Sequence, residues 1–170
     1  MPNKPDKFGI KFWVCCDVKT KFCVNQFPYL SSFDKEERDE ERLGEYVVNK
    51  LMKPFANKGY NVCTDNFFTG LSLARSLLEK RTTLVGTVRL NSKFLSPAHL
   101  QKKPLHDSEH FETDNGKVLT VSYQGKKTKK VVVLSTFHQS ARVHEEEKKK
   151  TELIKFYNIN KVRVESMDSM

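Results

Sequence analysis

Tyr60-Asn61-Val62-Cys63-Thr64-Asp65-Asn66-Phe67-Phe68-Thr69-Gly70-Leu71-Ser72-Leu73-Ala74-Arg75-Ser76-Leu77-Leu78 is the stretch whose reading decides the fold. Residues 60–64 make a short buried-type strand that stops at an acid. After Gly70, Leu73, Ala74, Leu77 and Leu78 recur at helical spacing on one face. Upstream, Leu43, Val47, Val48, Leu51 and Phe55 give an earlier helix, ended by Pro54 and Gly59. Downstream, Thr82–Leu90 reads as another strand. Further out, residues 8–18 and 22–30 are two β-rich runs joined by Lys19-Thr20-Lys21, which predicts an antiparallel hairpin on a poor turn. From 8 to 90 the order is β-β-α-β-α-β, a mixed α/β layer pattern.

Residues 91–116, with Pro97 and Pro104, read as a polar excursion with little regular structure. Val118–Tyr123 and Lys130–Ser135 predict a second hairpin whose turn holds Gly125. Glu145–Glu147 and Lys148–Lys150 cancel as a solvated connector, and Leu153–Met170 ends in helix. Three regions of one domain over 1–170 follow: 8–90, an excursion and hairpin over 91–150, and a helix start over 151–170. The chain opens just before a strand and stops as a helix begins, so the interior of a larger domain is expected.

The chain has 170 residues, with 30 Lys+Arg against 21 Asp+Glu and a formal charge of +9. Residues 34–45 hold seven acids and three bases, net −4, which leaves +13 for the rest. Such an excess points to a polyanionic partner, most simply nucleic acid, or to an inert basic surface. Lys126, Lys127, Lys129 and Lys130 form the sharpest cluster. No stretch approaches the roughly 18–20 apolar residues of a membrane span, and Met1-Pro2-Asn3-Lys4 does not read as a signal peptide. Neither a membrane nor a secreted protein is expected. Cys15, Cys16, Cys23 and Cys63 form no C-x-x-C pair, so reduced thiols are expected rather than zinc.

Asp65 is the first candidate for chemistry. It is either a strand-end carboxylate of the kind that faces ligands in α/β sheets, or a turn and N-cap acid. Glu165 and Asp168 share a helical face at i, i+3, as a second acidic site or as a solvated face. Carboxylates that meet at a strand end suit Mg²⁺ or Mn²⁺. His106 and His110 lie in the excursion, which disfavours a metal role. His138, at the end of a strand, is a candidate to face DNA. Lys11, Phe12 and Trp13 mix basic and aromatic character, which a buried strand also explains.

Several strings in order resemble the transposase domain of the piggyBac family. Lys4-Pro5-Asp6-Lys7-Phe8-Gly9-Ile10-Lys11-Phe12-Trp13 is similar to its K-P-x-K-x-G-I-K-x-W. Thr64-Asp65-Asn66-Phe67-Phe68-Thr69-Gly70 resembles D-N-[FW]-F-[TS], and Gly86-Thr87-Val88-Arg89-Leu90-Asn91 resembles G-T-[VIL]-R-x-N. Val131-Val132-Val133-Leu134-Ser135-Thr136-Phe137-His138 resembles V-x-x-L-S-T-x-H. Phe156-Tyr157-Asn158 through Val164-Glu165-Ser166-Met167-Asp168 resembles Y-N-x-x-x-x-G-V-D-x-x-D. The resemblance implies a ribonuclease H-like mixed sheet flanked by helices, here without its first strand and C-terminal part. It also implies cut-and-paste DNA chemistry in the nucleus, with DNA as partner and a possible homodimer.

Family members hold two divalent ions, Mg²⁺ or Mn²⁺, with three aspartates. Asp65 matches the second, Glu165 falls at the third, and Asp168 matches the further acid. The first lies upstream of the point where this sequence starts. Glu165 is one methylene longer than Asp, and a displacement of about 1 Å costs on the order of 100-fold in rate. Arg163 stands where the family has glycine. The resemblance therefore implies a catalytically incomplete transposase fragment. In it, Arg89, Lys126, Lys127, Lys129, Lys130 and His138 are the candidates to touch DNA. The alternative is a domesticated, non-catalytic DNA-binding or interaction module.

Overall fold

The hairpin forms despite its lysine-rich connection. Strands β1 (Phe12–Cys16) and β2 (Cys23–Pro28) pair antiparallel, with Trp13 opposite Phe27 and a bulge at Cys15/Cys16. The Asp17 carboxylate closes the turn by accepting from the Thr20 amide at 2.7 Å and its hydroxyl at 2.6 Å. Lys21 takes a left-handed φ of 61°. In this computed structural model residues 9–30, 35–38, 40–140, 142 and 149–165 are described, residues 162–165 by their backbone alone. The start of the first string (4–8), most of the connector (145–148) and Asp168 lie outside them.

One face of the hairpin is buried. Trp13 packs with Tyr46, Val47 and Leu51 of α1 (Leu43–Met52), and Phe27 joins them. Pro54 stops α1 by way of a single 3₁₀ turn, Lys53–Phe55. The chain then makes β3 (Asn61–Thr64), α2 (Leu71–Glu79) and β4 (Thr83–Val88). β3 and β4 are parallel, Val62 opposite Leu84 and Thr64 opposite Gly86.

Residues 91–116 are more ordered than the sequence suggests. They hold a short helix, α3 (Pro97–Leu100), and a strand, β5 (Ser108–Thr113). The strand escapes notice because Ser-Glu-His-Phe-Glu-Thr has no apolar alternation, as suits an edge strand with little buried surface. The second hairpin is longer than its apolar runs: β6 is Val118–Lys126 and β7 is Lys129–Ser135. Gly125 sits inside β6, where the register slips between Gln124 and Lys126.

β3 to β7 form one sheet in the order β3-β4-β7-β6-β5, with only the β3–β4 pair parallel. Its two faces carry separate cores. Leu84, Val88, Val118, Val132 and Leu134 pack on one side with Leu73, Ala74 and Leu77 of α2 and with Val48 and Met52 of α1. Val85, Leu119, Val121, Tyr123 and Val133 pack on the other with Leu153, Ile154 and Tyr157 of α4 (Glu152–Glu165). Helix α3 closes the first face at β6. There the His99 ring reaches Thr120 at 3.0 Å, and its carbonyl accepts from Ser122 at 2.8 Å. This is the expected mixed sheet flanked by helices, with β1–β2 standing as a separate two-stranded sheet. No described helix is long and apolar enough to cross a membrane.

Gly86 is the most crowded of the described glycines. A Cβ there would lie 2.2 Å from the Thr69 hydroxyl and 2.6 Å from the Thr64 carbonyl. Gly86→Ala is expected to destabilise the fold by about 1–3 kcal/mol through overpacking. Urea denaturation measures this, and an unchanged midpoint would show that the contact is not as tight as described.

Candidate strand-end site and nucleic-acid interface

Asp65 leaves the end of β3 and is exposed. Its Oδ1 accepts from the Phe67 amide at 2.8 Å, an Asx turn. Its carbonyl accepts from the Thr69 amide at 3.0 Å and the Thr69 hydroxyl at 2.7 Å. Below it, the Thr64 and Thr69 hydroxyls meet at 2.7 Å in the buried space over Gly86. The residue is thus a turn acid and a strand-end acid at once. Helix α1 comes close to the same turn at Gly44, where a Cβ would lie 2.6 Å from the Phe67 carbonyl.

The two phenylalanines after Asp65 tie the turn to the hairpin. Phe67 stacks on Trp13 at 5.9 Å and 14°, and Phe68 meets Trp13 edge-on at 5.7 Å. Both rings of this stack hold cations, Arg89 at 5.4 Å over Phe67 and Lys11 at 4.0 Å over Trp13. A cation over an aromatic face is attracted by the ring quadrupole. Arg89 is thereby held beside the Asp65 turn. The Tyr157 hydroxyl lies 3.3 Å from that of Thr87, and burial, helped by Asp65 and Cys63, pushes its pKa up. Sequence reading missed this pair, since nothing in a lone Tyr or Thr marks it.

Strand direction sorts the remaining candidates. β3 and β4 run parallel, so Asp65 and Arg89 leave the same end of the sheet. β7 runs antiparallel to β4, with Val88 opposite Val132, so its first residue and the β6–β7 turn lie at that end too. Lys126 and Lys129 are register partners there, and Lys127 lies in the turn between them. Four residues along β7 and two strands across put Lys129 roughly 16 Å from Asp65.

Lys130 is committed elsewhere. Its ammonium donates to the carbonyls of His99, at 3.3 Å, and Gln101. Burial and the nearby Lys103 push its pKa down. His138 stands at the far end of the sheet, because Ser135 pairs with Val85. Its Nδ1 lies 2.8 Å from the Ser135 hydroxyl, and its ring meets Phe137 and Phe156 edge-on. Burial pushes its pKa below the usual value, against the pull of Glu152.

Glu165 is the last residue of α4; its side chain and Asp168 lie outside the description. It follows Tyr157 by eight residues, about 12 Å of helix. Among the described residues no three His, Cys, Asp or Glu side chains converge to hold a metal. At this strand end they bring one carboxylate, where Mg²⁺ is usually held by one or two together with other oxygens. They do not by themselves fit a two-ion site. A cavity of about 690 Å³ lies away from Asp65, lined by Tyr46, Asn49, Lys50, Lys53, Asn57 and Lys80 among others. There Lys50 pairs with Glu37 at 2.7 Å and Lys80 with Asn49 at 2.9 Å.

A five-stranded mixed sheet with helices on both faces and an acid at the end of β3 defines a ribonuclease H-like α/β fold. The particular family follows from the whole chain. The profile of the family described as Transposase IS4 matches residues 1–170, and the chain belongs to that family. A piggyBac transposase, solved by cryo-electron microscopy as a synaptic complex with hairpin DNA, aligns over all of this chain at a TM-score of 0.89 and 34% identity. The chain spans about a third of that relative, 35% of its length. Transposases of the DDE type generally depend on divalent metal.

Buried His99 and half-buried His138 make a pH prediction. Burial lowers the folded-state pKa of both His99 and His138 below 6.5. The unfolded chain then binds protons that the folded chain refuses, so stability is lost as pH falls through that value. Denaturation midpoints are expected to drop between about pH 7.5 and about pH 5.5, and His138→Asn should reduce the drop. A midpoint that rises on acidification would contradict this desolvation of the two rings.

Proposed function

We propose that this chain is part of the catalytic core of a cut-and-paste DNA transposase, and that taken alone it binds DNA without cutting it. The observation that carries the reading is that Asp65, Arg89 and the Lys126–Lys129 hairpin leave one end of one sheet. Arg89, fixed on Phe67, would hold a phosphate near the acid, and the hairpin would hold the backbone further along the duplex. The solved relative is itself in complex with DNA, which supports the same partner here.

Asp65 is the acid this chain would bring to Mg²⁺ or Mn²⁺, with Glu165 and Asp168 as candidates for the rest. This chain's own part is to hold the Asp65 carboxylate rigid and to place cations around it. Action in the nucleus and as a homodimer belongs to the same reading. The second reading is a non-catalytic DNA-binding or interaction module, for which the lysines of the β6–β7 turn would be the contacts.

Binding to a duplex should weaken steeply as salt rises from about 50 to about 200 mM, at about 0.9 in log–log slope per phosphate contact. Replacing Lys126 and Lys127 together by Ala should reduce that slope by about 2. Lys130→Ala should lower stability instead, since its ammonium holds carbonyls. Fluorescence anisotropy and melting curves separate the two effects. A salt-independent affinity would remove the DNA reading, and Mg²⁺-dependent nicking by this chain alone would overturn the inactivity.

A further inference from the structure

Three of the four cysteines gather at the turn end of the β1–β2 hairpin, and the DNA reading uses none of them. Cys16 and Cys23 are register partners across the pair. Such partners have Cα atoms about 4.5–5.5 Å apart, inside the range of about 4.4–6.8 Å that a disulfide spans. Alternation along β1 sends Trp13 and Cys15 inward and Phe12, Val14 and Cys16 outward. The Cys23 sulfur lies 3.8 Å from Oε1 of Gln26, the partner of outward-facing Val14. Both thiols therefore stand on the outer face, Cys23 exposed and Cys16 half-buried.

We propose that Cys16 and Cys23 are a reversible redox pair that closes into a cross-strand disulfide, with a small-molecule disulfide such as oxidised glutathione as the oxidant. The exposed Cys23 thiolate attacks one sulfur of glutathione disulfide and expels one glutathione thiolate. The Cys16 thiolate then attacks the Cys23 sulfur of the mixed disulfide and expels the second. Two S–H bonds are lost and one S–S bond forms. The two electrons reduce one glutathione disulfide to two glutathione thiols, which take up the two protons.

The other two cysteines are poor competitors. Cys15 faces the opposite side of the strand, and burial, with Cys16 and Cys23 adding, pushes its pKa to about 11. Cys63 lies on β3 in the other sheet, where burial also pushes it to about 11. Near neutral pH neither holds much of the thiolate that attacks. The new bond would close a ring around the Asp17–Phe22 turn and the bulge, fixing the strand that carries Trp13.

The test is to equilibrate the full chain with oxidised and reduced glutathione, block free thiols and map the peptides by mass spectrometry. Trypsin cuts at Lys19 and Lys21, so a Cys16–Cys23 bond joins two peptides, in a chain lighter by about 2 Da. The bond is expected in wild type, in Cys15→Ser and in Cys63→Ser, and is lost in Cys16→Ser. The oxidised wild type should also melt higher and return to its original midpoint on reduction. Linkage through Cys15 in the wild type, or glutathione adducts with no internal bond, would overturn the pairing without needing any variant to fold.

Discussion

The Thr64–Thr69 hydroxyl contact over Gly86 is the constraint on which the rest of the structure depends. Two side chains from either side of a tight turn meet at 2.7 Å in buried space, and only a residue without a Cβ leaves room for them on the neighbouring strand. Thr69 also binds the Asp65 carbonyl, so the same hydroxyl fixes the backbone that carries the acid. Helix α2 starts directly after, at Leu71, and its apolar face lands on β4 and β7. Position of the acid, start of the helix and spacing of β3 from β4 are one geometric fact.

That turn is also where the two sheets are joined. Trp13 belongs to the hairpin and Phe67 and Phe68 to the turn, and their rings form a single aromatic cluster beneath α1. The stack gives the otherwise independent β1–β2 pair a core, since a lone two-stranded hairpin is marginal in water. It also offers two faces for cations. A flexible arginine loses less entropy on meeting a phosphate when its guanidinium is already held over a ring. Core packing and the candidate DNA contact are thus made by the same side chains.

The positive charge of the chain resolves into different uses. Lys126, Lys127 and Lys129 stand at a hairpin turn on the Asp65 end. Lys130, one residue on, instead joins α3 to the sheet through two carbonyls. Lys50 and Lys80 serve α1 and α2 through Glu37, Asn49 and Ser76. Neighbours in sequence therefore have opposite roles, because successive strand residues point to opposite faces.

The amino-acid sequence by itself determined the βα unit around Asp65, the two hairpins and the apolar faces of α1 and α2, because these rest on local periodicity and turn chemistry. Its strings also carried the family, which their order along the chain made specific. β5 was not legible, since a polar edge strand has no alternation to read, although Asn115-Gly116 before β6 is a turn signal. Only the tertiary structure decided that Lys127 and Asp65 share an end of the sheet while His138 lies at the other. Strand direction sets that, and it is fixed by pairings between residues far apart in the chain. The same holds for Arg89 over Phe67 and for Cys16 opposite Cys23: each depends on a register that no local pattern contains.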